Sequence, residues 1–460
     1  MKAYVTGLFL AAALPLAPVA ATAQPASTAA TVDGKAAVAG IRHILSQNYV
    51  LPEVRPKLDA ILAKGLAEGR YAVSDPNILA DRINQDLKSV AHDKHLSVAY
   101  DPAGSTELAA QPPGAGDDDA PPTAADIRAA ERRNHGIVQM KLLPGNIRYI
   151  EYNGFVWAGP DAAKAIDQAM GFLSSGDAAI IDLRFNGGGS PEAVQYMISH
   201  FLAPNRPIVT FHMGANRVNT LSSLAALPTG RMVGKPLYVL TSGMTASAAE
   251  EFTGHVAGFK LGEIIGENTA GAGFRNAFFA VPGGFVISVS VGRAVLASTG
   301  KDWEGVGIAP TDPVPAAKAL EVAQVHAMRK IAATAASAEK ALLDAYAVVL
   351  SAQVDPVTTA LPLSAYAGQF GERSVTLENG QLMFQRNGAP KHPIVAIAAN
   401  QFAFQDEPYE QLTFAVAGNS ATGFELVRSD GSHVTASRNP RPAAPSASAP
   451  IPRPSSGGAR

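Results

Sequence analysis

Apolar residues recur at helical spacing between Val38 and about Val98: Val38, Ile41, Ile44 and Leu45, then Leu58, Ile61 and Leu62, then Leu79, Ile83, Leu87 and Val90. Pro52, Pro56 and Ser74-Asp75-Pro76 punctuate the stretch, which predicts about three helices in a domain over residues 33–100. The pattern then lapses. Residues 101–134 open with a Pro/Gly/Ala-rich run containing Asp117-Asp118-Asp119, the composition of a linker or mobile loop. From 135 to 325 the period switches back and forth. Strand-like runs at 136–138, 147–152, 178–183, 208–212 and 236–240 interleave with helical spacing at 161–173, 191–202 and 247–259, and strands return at 262–266 and 284–297. Such alternation predicts an α/β core. An Ala-rich helical connector follows over 326–361. Short alternating strands at 375–377, 382–384, 402–404, 412–414 and 423–426, separated by Gly and Asn, then predict a small β domain over 362–438, in outline a half-barrel. The Pro/Ala/Ser-rich residues 439–460 read as a disordered tail.

Composition narrows the classes. A chain of 460 residues is too long for one core, so two or three domains are expected. A net charge of -2 gives no hint of nucleic-acid binding. With no cysteine, a disulfide framework, thiol catalysis and a Cys-zinc site are excluded. Met1-Lys2, the Ala/Leu-rich run to Ala20 and Ala21-Thr22-Ala23 before Gln24 have the order of a secretory signal peptide over 1–23. Pro15 and Pro18 interrupt that run and it is short for a membrane span. Export to a periplasmic or extracellular space is therefore expected, without stable membrane insertion.

Candidate chemistry centres on the junction after the apolar run 237–240. Small residues follow that strand, and a Ser/Thr-capped helix begins. A serine at such a turn has its hydroxyl at the positive end of a helix, where backbone N–H groups can meet a developing oxyanion. Ser242 and Ser247 both stand there. A serine also needs a base, and the base needs an orienting partner. Among ten histidines, His95 in Asp93-Lys94-His95-Leu96 sits where the helical region gives way to a strand, with His92 three residues earlier. Glu304 stands in the turn-like Trp303-Glu304-Gly305-Val306-Gly307-Ile308-Ala309-Pro310. The run Asp182-Leu183-Arg184-Phe185-Asn186-Gly187-Gly188-Gly189 follows an apolar strand, and its glycines permit close approach of backbone to a substrate. A nucleotide-phosphate loop is the rival reading of that run, but neither Gly-x-Gly-x-x-Gly nor a Gly-Lys-Ser/Thr ending is present.

Thr245-Ala246-Ser247-Ala248-Ala249-Glu250 resembles the nucleophile segment of the C-terminal processing (tail-specific) peptidase superfamily. The match is nearest to the branch of the tricorn protease core and interphotoreceptor retinoid-binding protein. The resemblance covers about residues 35 to 325 and rests on four short motifs in the family's order. It implies a crotonase-like (ClpP/crotonase) α/β core, and a serine peptidase with a Ser247–His95–Glu304 triad and peptide or protein substrates. It also implies an oxyanion hole of Gly187 or Gly188 with Ala248, no cofactor and no metal. Asp182 and Arg184 are expected to stabilise the fold. Tail-specific peptidases carry a lysine 25 residues after the serine; here that position is Ala272, so a Ser–Lys dyad is unavailable. No stretch resembles their PDZ domain, and Asp312 falls one place later than the family's aspartate. Two rivals share the fold: a non-catalytic binder of apolar ligands, and an acyl-CoA enzyme, which export disfavours.

Overall fold

The computed structural model describes residues 33–110, 122–214 and 217–440. The expected signal peptide, and the expected tail beyond residue 440, lie outside the described residues. The chain divides into two compact units, Met1–Ala323 and Gln324–Arg460. The architecture is mixed α/β, with a helical N-terminal region and a barrel-like C-terminal sheet.

The first unit opens with helices α1 (Gly34–Asn48), α2 (Arg55–Ala67) and α3 (Pro76–Val90). Asp33 caps α1 by accepting from the Lys35 and Ala36 N–H groups, and Asp75 caps α3 just ahead of Pro76. Their buried stripes are those the spacing predicts: Val38, Ile41 and Leu45; Leu58 and Leu62; Leu79, Ile83 and Leu87. These side chains pack against Val281, Phe285, Ile287 and Val289, so the helices share their core with a sheet. Strand β1 (Ser97–Tyr100) then leads to α4 (Pro102–Ala109) and α5 (Ala124–Arg132). Residues 101–134, expected to be a linker or mobile loop, thus hold two helices. Their start signals are local: Asp101 accepts from Gly104 N–H ahead of α4, and Thr123 and Asp126 form a capping box on α5.

Next come β2 (Ile137–Leu143), β3 (Ile147–Tyr152), α6 (Asp161–Ser174), β4 (Ala178–Asp182) and α7 (Pro191–Ser199). Strands β5 (Pro207–Met213), β6 (Arg217–Ser222) and β7 (Leu237–Thr241) precede α8 (Ala248–Gly258) and β8 (Glu263–Gly266). The unit is completed by β9 (Phe274–Val281), β10 (Phe285–Leu296) and the short β11 (Asp312–Pro313). One sheet runs β11-β8-β7-β4-β3-β2, parallel except for the β2–β3 hairpin. Its central strands β4 and β7 are buried at every residue, as continuous apolar runs between helices require. The other sheet is ordered β1-β10-β5-β6, with β9 also on β10.

Helices α9 (Ala319–Ala332) and α10 (Ser337–Val354) occupy the stretch read as a connector. The second unit then forms one antiparallel meander: β12 (Gly368–Phe370), β13 (Arg373–Glu378), β14 (Gln381–Arg386), β15 (Lys391–Ala398), β16 (Gln401–Phe404), β17 (Gln411–Ala417), β18 (Ser420–Val427) and β19 (His433–Ser437). An antiparallel bridge from Phe370 to Arg438, and an Asn439 N–H bond to the Gln369 carbonyl at 2.8 Å, join the last strand to the first. The sheet closes, so the half-barrel outline is corrected to a barrel of eight strands. Phe370, Phe384, Phe402, Phe404, Phe414 and Phe424 fill its interior, several in edge-to-face contact.

Candidate active site

Ser247 stands where β7 turns into α8, with φ 55° and ψ −121°. A side-chain-bearing residue in that region is strained by about 1–3 kcal/mol and persists only when its surroundings hold it. The surroundings are visible. Ser247 N–H donates to Glu250 Oε2 at 2.9 Å, and Ala246 N–H donates to the Asn186 carbonyl at 3.0 Å. Thr245 Oγ1 donates to the Leu183 carbonyl at 2.8 Å. The turn is thus bolted to the loop after β4, and both loops leave the carboxyl ends of adjacent parallel strands, where open α/β sheets bind ligands. Ser242 is otherwise engaged: its Oγ donates to the Arg184 carbonyl at 2.5 Å and accepts from Met244 N–H.

Gly188 lies against the serine. At φ 107°, a Cβ placed on it would come 2.7 Å from Ser247 Cβ and 3.0 Å from Ala248 N, so only glycine fits. Its N–H, however, donates to Asn186 Oδ1 at 2.8 Å. Of the two glycines expected to offer an oxyanion donor, Gly188 is therefore committed elsewhere, and Gly187 is the one whose N–H has no partner among the described residues. Ala248 N–H, at the first turn of α8, is likewise unpaired among the described residues.

Glu250 and Asn186 brace the Ser247 turn through buried side chains. Glu250 is fully buried. Its Oε1 accepts from Thr269 Oγ1 and Gly271 N–H, both at 2.6 Å, and its Oε2 from Ala272 N–H at 2.8 Å as well as from Ser247. Four donors satisfy the charge and tie residues 269–272 to the Ser247 turn. Ala272, expected from the resemblance to stand where tail-specific peptidases carry a lysine, therefore shares a carboxylate oxygen with Ser247. Asn186, also fully buried, donates through Nδ2 to the Tyr152 carbonyl at 2.7 Å. The Ser-x-x-Glu spacing of a capping box was available as a signal for Glu250; nothing local marks Asn186.

His95 lies between α3 and β1, half-buried, its N–H donating to Asp93 Oδ1 at 2.8 Å. Its neighbour Lys94 reaches the Ala270 carbonyl through Nζ. His92 is exposed and, like His95, lies beyond the end of α3, so the three-residue spacing, which on a helix would put both on one face, does not do so here. Burial holds the His95 imidazole below its ordinary 6.5, against the pull of the Asp93 and Glu250 carboxylates. Glu304, in the loop after β10, accepts at Oε2 from Gly273 N–H (2.6 Å) and Phe274 N–H (2.9 Å). Burial, reinforced by the charge of Asp93 and opposed by those two N–H groups, raises its carboxyl to about 7.

Segments 93–95, 247–250, 269–274 and 303–307 thus converge. Within this cluster His95 Nδ1, Asp93 Oδ2 and Glu304 Oε1 are buried without a partner, and among the described residues no hydrogen bond joins His95 to Ser247 or to Glu304. Asp182 and Arg184 pair at 2.6 Å, and Arg184 also donates to the Ala316 carbonyl, a bracing role. Among the described residues no cluster of three or more metal-ligating side chains occurs, and no helix is long and apolar enough to cross a membrane.

The sequence model of peptidase family S41 matches residues 146–314, and that of the N-terminal domain of peptidase S41 in eukaryotic IRBP matches residues 31–140. Carboxyl-terminal-processing peptidase 2, chloroplastic, of Arabidopsis thaliana is 30% identical over 184 residues, 38% of this chain. The match spans only 34% of that protein's length. Among solved structures, a candidate peptidase from Parabacteroides merdae is 18% identical with a TM-score of 0.43, covering 61% of this chain and 90% of its own. The photosystem II D1 C-terminal processing protease is 16% identical with a TM-score of 0.39, covering 62% and 94%.

Proposed function

Because this chain belongs to peptidase family S41, a family of serine-peptidase hydrolases, we propose that it is an exported peptidase acting through Ser247, His95 and Glu304 on a crotonase-like core. The carrying observation is the strained Ser247 turn, with Gly188 pressed against it and, in the same two turns, the N–H groups of Gly187 and Ala248 without partners among the described residues. His95 takes the Ser247 proton as the oxygen attacks a peptide carbonyl. The N–H groups of Gly187 and Ala248 hold the resulting oxyanion. His95 then protonates the leaving amine, and water releases the acyl-enzyme. This chemistry uses no cofactor. It requires His95 to come into hydrogen-bond reach of Ser247 and Glu304 when substrate binds, a tightening common at such sites. Their unpartnered buried atoms support that movement. Export rests on the order of residues 1–23 and is tested by the N-terminal residue of the mature protein, expected at Gln24.

Labelling by a fluorophosphonate tests the nucleophile. Ser247→Ala is expected to abolish it and Ser242→Ala to retain it; labelling of Ser247→Ala at the parent rate would sink the proposal. His95→Ala should lose on the order of 10³-fold in kcat on peptide substrates, leaving the turnover that binding and the oxyanion hole alone supply.

A further inference from the structure

Strand alternation carries charge into one end of the C-terminal barrel. Arg373 shares the inward face of β13 with Val375, Arg386 that of β14 with Phe384, and His392 that of β15 with Ile394. The register agrees: Arg373 lies directly opposite Arg386, and Phe384 opposite His392. Arg428, two residues past the inward Leu426, completes the set. All four line a cavity of about 150 Å³ floored by Phe384, Phe404 and Leu426. Glu407 and Glu410, from the turn between β16 and β17, form another part of its wall.

These charges are poorly answered by the protein itself. Two arginines directly across a strand pair repel. Glu372, on the rim, offsets part of this from 3.4 Å to Arg386 and 3.6 Å to Arg373. The Arg373 side chain is nonetheless only 12% exposed, and none of its five N–H donors has a hydrogen-bond acceptor among the described residues. The Arg428 side chain makes no hydrogen bond or ion pair within 4 Å among the described residues, although its charge is felt at Asp430. Glu407 and Glu410 pair with none of the three arginines. Opposite charges therefore face one small cavity above an apolar floor without closing on each other.

We propose that this barrel mouth binds a small zwitterion with an apolar side chain, the chemistry of a free amino acid or a dipeptide. Arg373 and Arg428, with Arg386 beside them at the rim, take the carboxylate, which suits the planar fork of a guanidinium. Glu407 and Glu410 take the ammonium, and the side chain rests on Phe384, Phe404 and Leu426. An eight-stranded barrel has room for one small ligand of this size at its mouth. Nothing in this assignment uses the site at Ser247, and it stands or falls separately.

Calorimetric titration of the full chain carrying Ser247→Ala, so that no peptide is consumed, tests it. The probes are L-phenylalanine, phenylalanyl-leucine, 3-phenylpropionate, which lacks the amine, and 2-phenylethylamine, which lacks the carboxylate. One or both zwitterions should bind, the stronger of the two naming the source, and loss of either charge should weaken binding about tenfold or more. Arg428→Gln should weaken the zwitterion about tenfold and leave 2-phenylethylamine unchanged, with Arg386→Gln, at an exposed rim position, as a second variant. Glu410→Gln should bring phenylalanine down to the level of 3-phenylpropionate. The proposal is overturned if neither zwitterion binds at up to roughly 10 mM. It is equally overturned if 3-phenylpropionate binds as well as phenylalanine, or if Arg428→Gln and Arg386→Gln both bind like the parent.

Discussion

Glu304 places the acid limb of the proposed activity. A carboxylate that steadies an imidazolium must be ionised, and this one, raised to about 7, loses its proton only as pH passes that value. His95, held below 6.5, is already neutral there and able to accept a proton. kcat/KM should therefore rise with pH through about 7. Asp93→Asn removes the charge that helps raise Glu304, so the limb should move to lower pH; a limb unmoved in Asp93→Asn would count against the assignment. The same shift bears on stability. A carboxyl raised from 4.5 to about 7 contributes stability that is fully present below 4.5 and is lost as pH rises through 7. How far the site was legible also divides at this scale. The turn bearing Ser242 and Ser247 was readable because strand, small residues and helix follow one another in the chain. The choice of Ser247, and of His95 and Glu304, as candidates rested instead on short motifs that resemble a family's. Asn186 was not readable, since its side chain acts on Gly188 and Tyr152 through a fold no local spacing encodes.

The turns after β4 and β7 work as one element. Gly188→Ala would drive a methyl group to 2.7 Å from Ser247 Cβ and 2.8 Å from the Ala246 carbonyl, at a φ that alanine resists. Its fluorophosphonate labelling should fall on the order of 10²-fold or more, in line with the cost of displacing an oxyanion donor. Labelling at the parent rate would mean the two turns are not coupled. Legibility varied among elements for physical reasons. β4 and β7 were plain because burial on both faces makes unbroken apolar runs. β6 is polar and largely exposed, and β9 is half-covered on both sides, so neither presents the alternation that marks a strand. The helices within 101–134 were hidden because the Pro/Gly/Asp composition between them outweighed their capping residues.

At the scale of the first unit, the helical region and the sheet stand on common apolar ground. Leu62, fully buried in α2, belongs to the cluster that includes Phe285, Ile287 and Val289 of β10. Leu62→Ala should cost about 2–5 kcal/mol, and the midpoint at which urea abolishes active-site labelling should fall with that of helix loss. Separate midpoints would show that the helices unfold on their own. The period of the pattern made the α/β class and the order of regions readable; the shared core was not, because it depends on β1 pairing with a strand far along the chain. That pairing, Ser97 opposite Ser288 and Tyr100 opposite Phe285, has a consequence in time. A ribosome delivers the helices and His95 early, but β1 has no neighbour until β10 has been made, and Glu304 comes later still. Non-local pairings of this kind are slow to form. Until β10 and Glu304 have been made, the growing chain holds Ser247 without the proposed base in place, so the proposed activity cannot arise while the first unit is still incomplete.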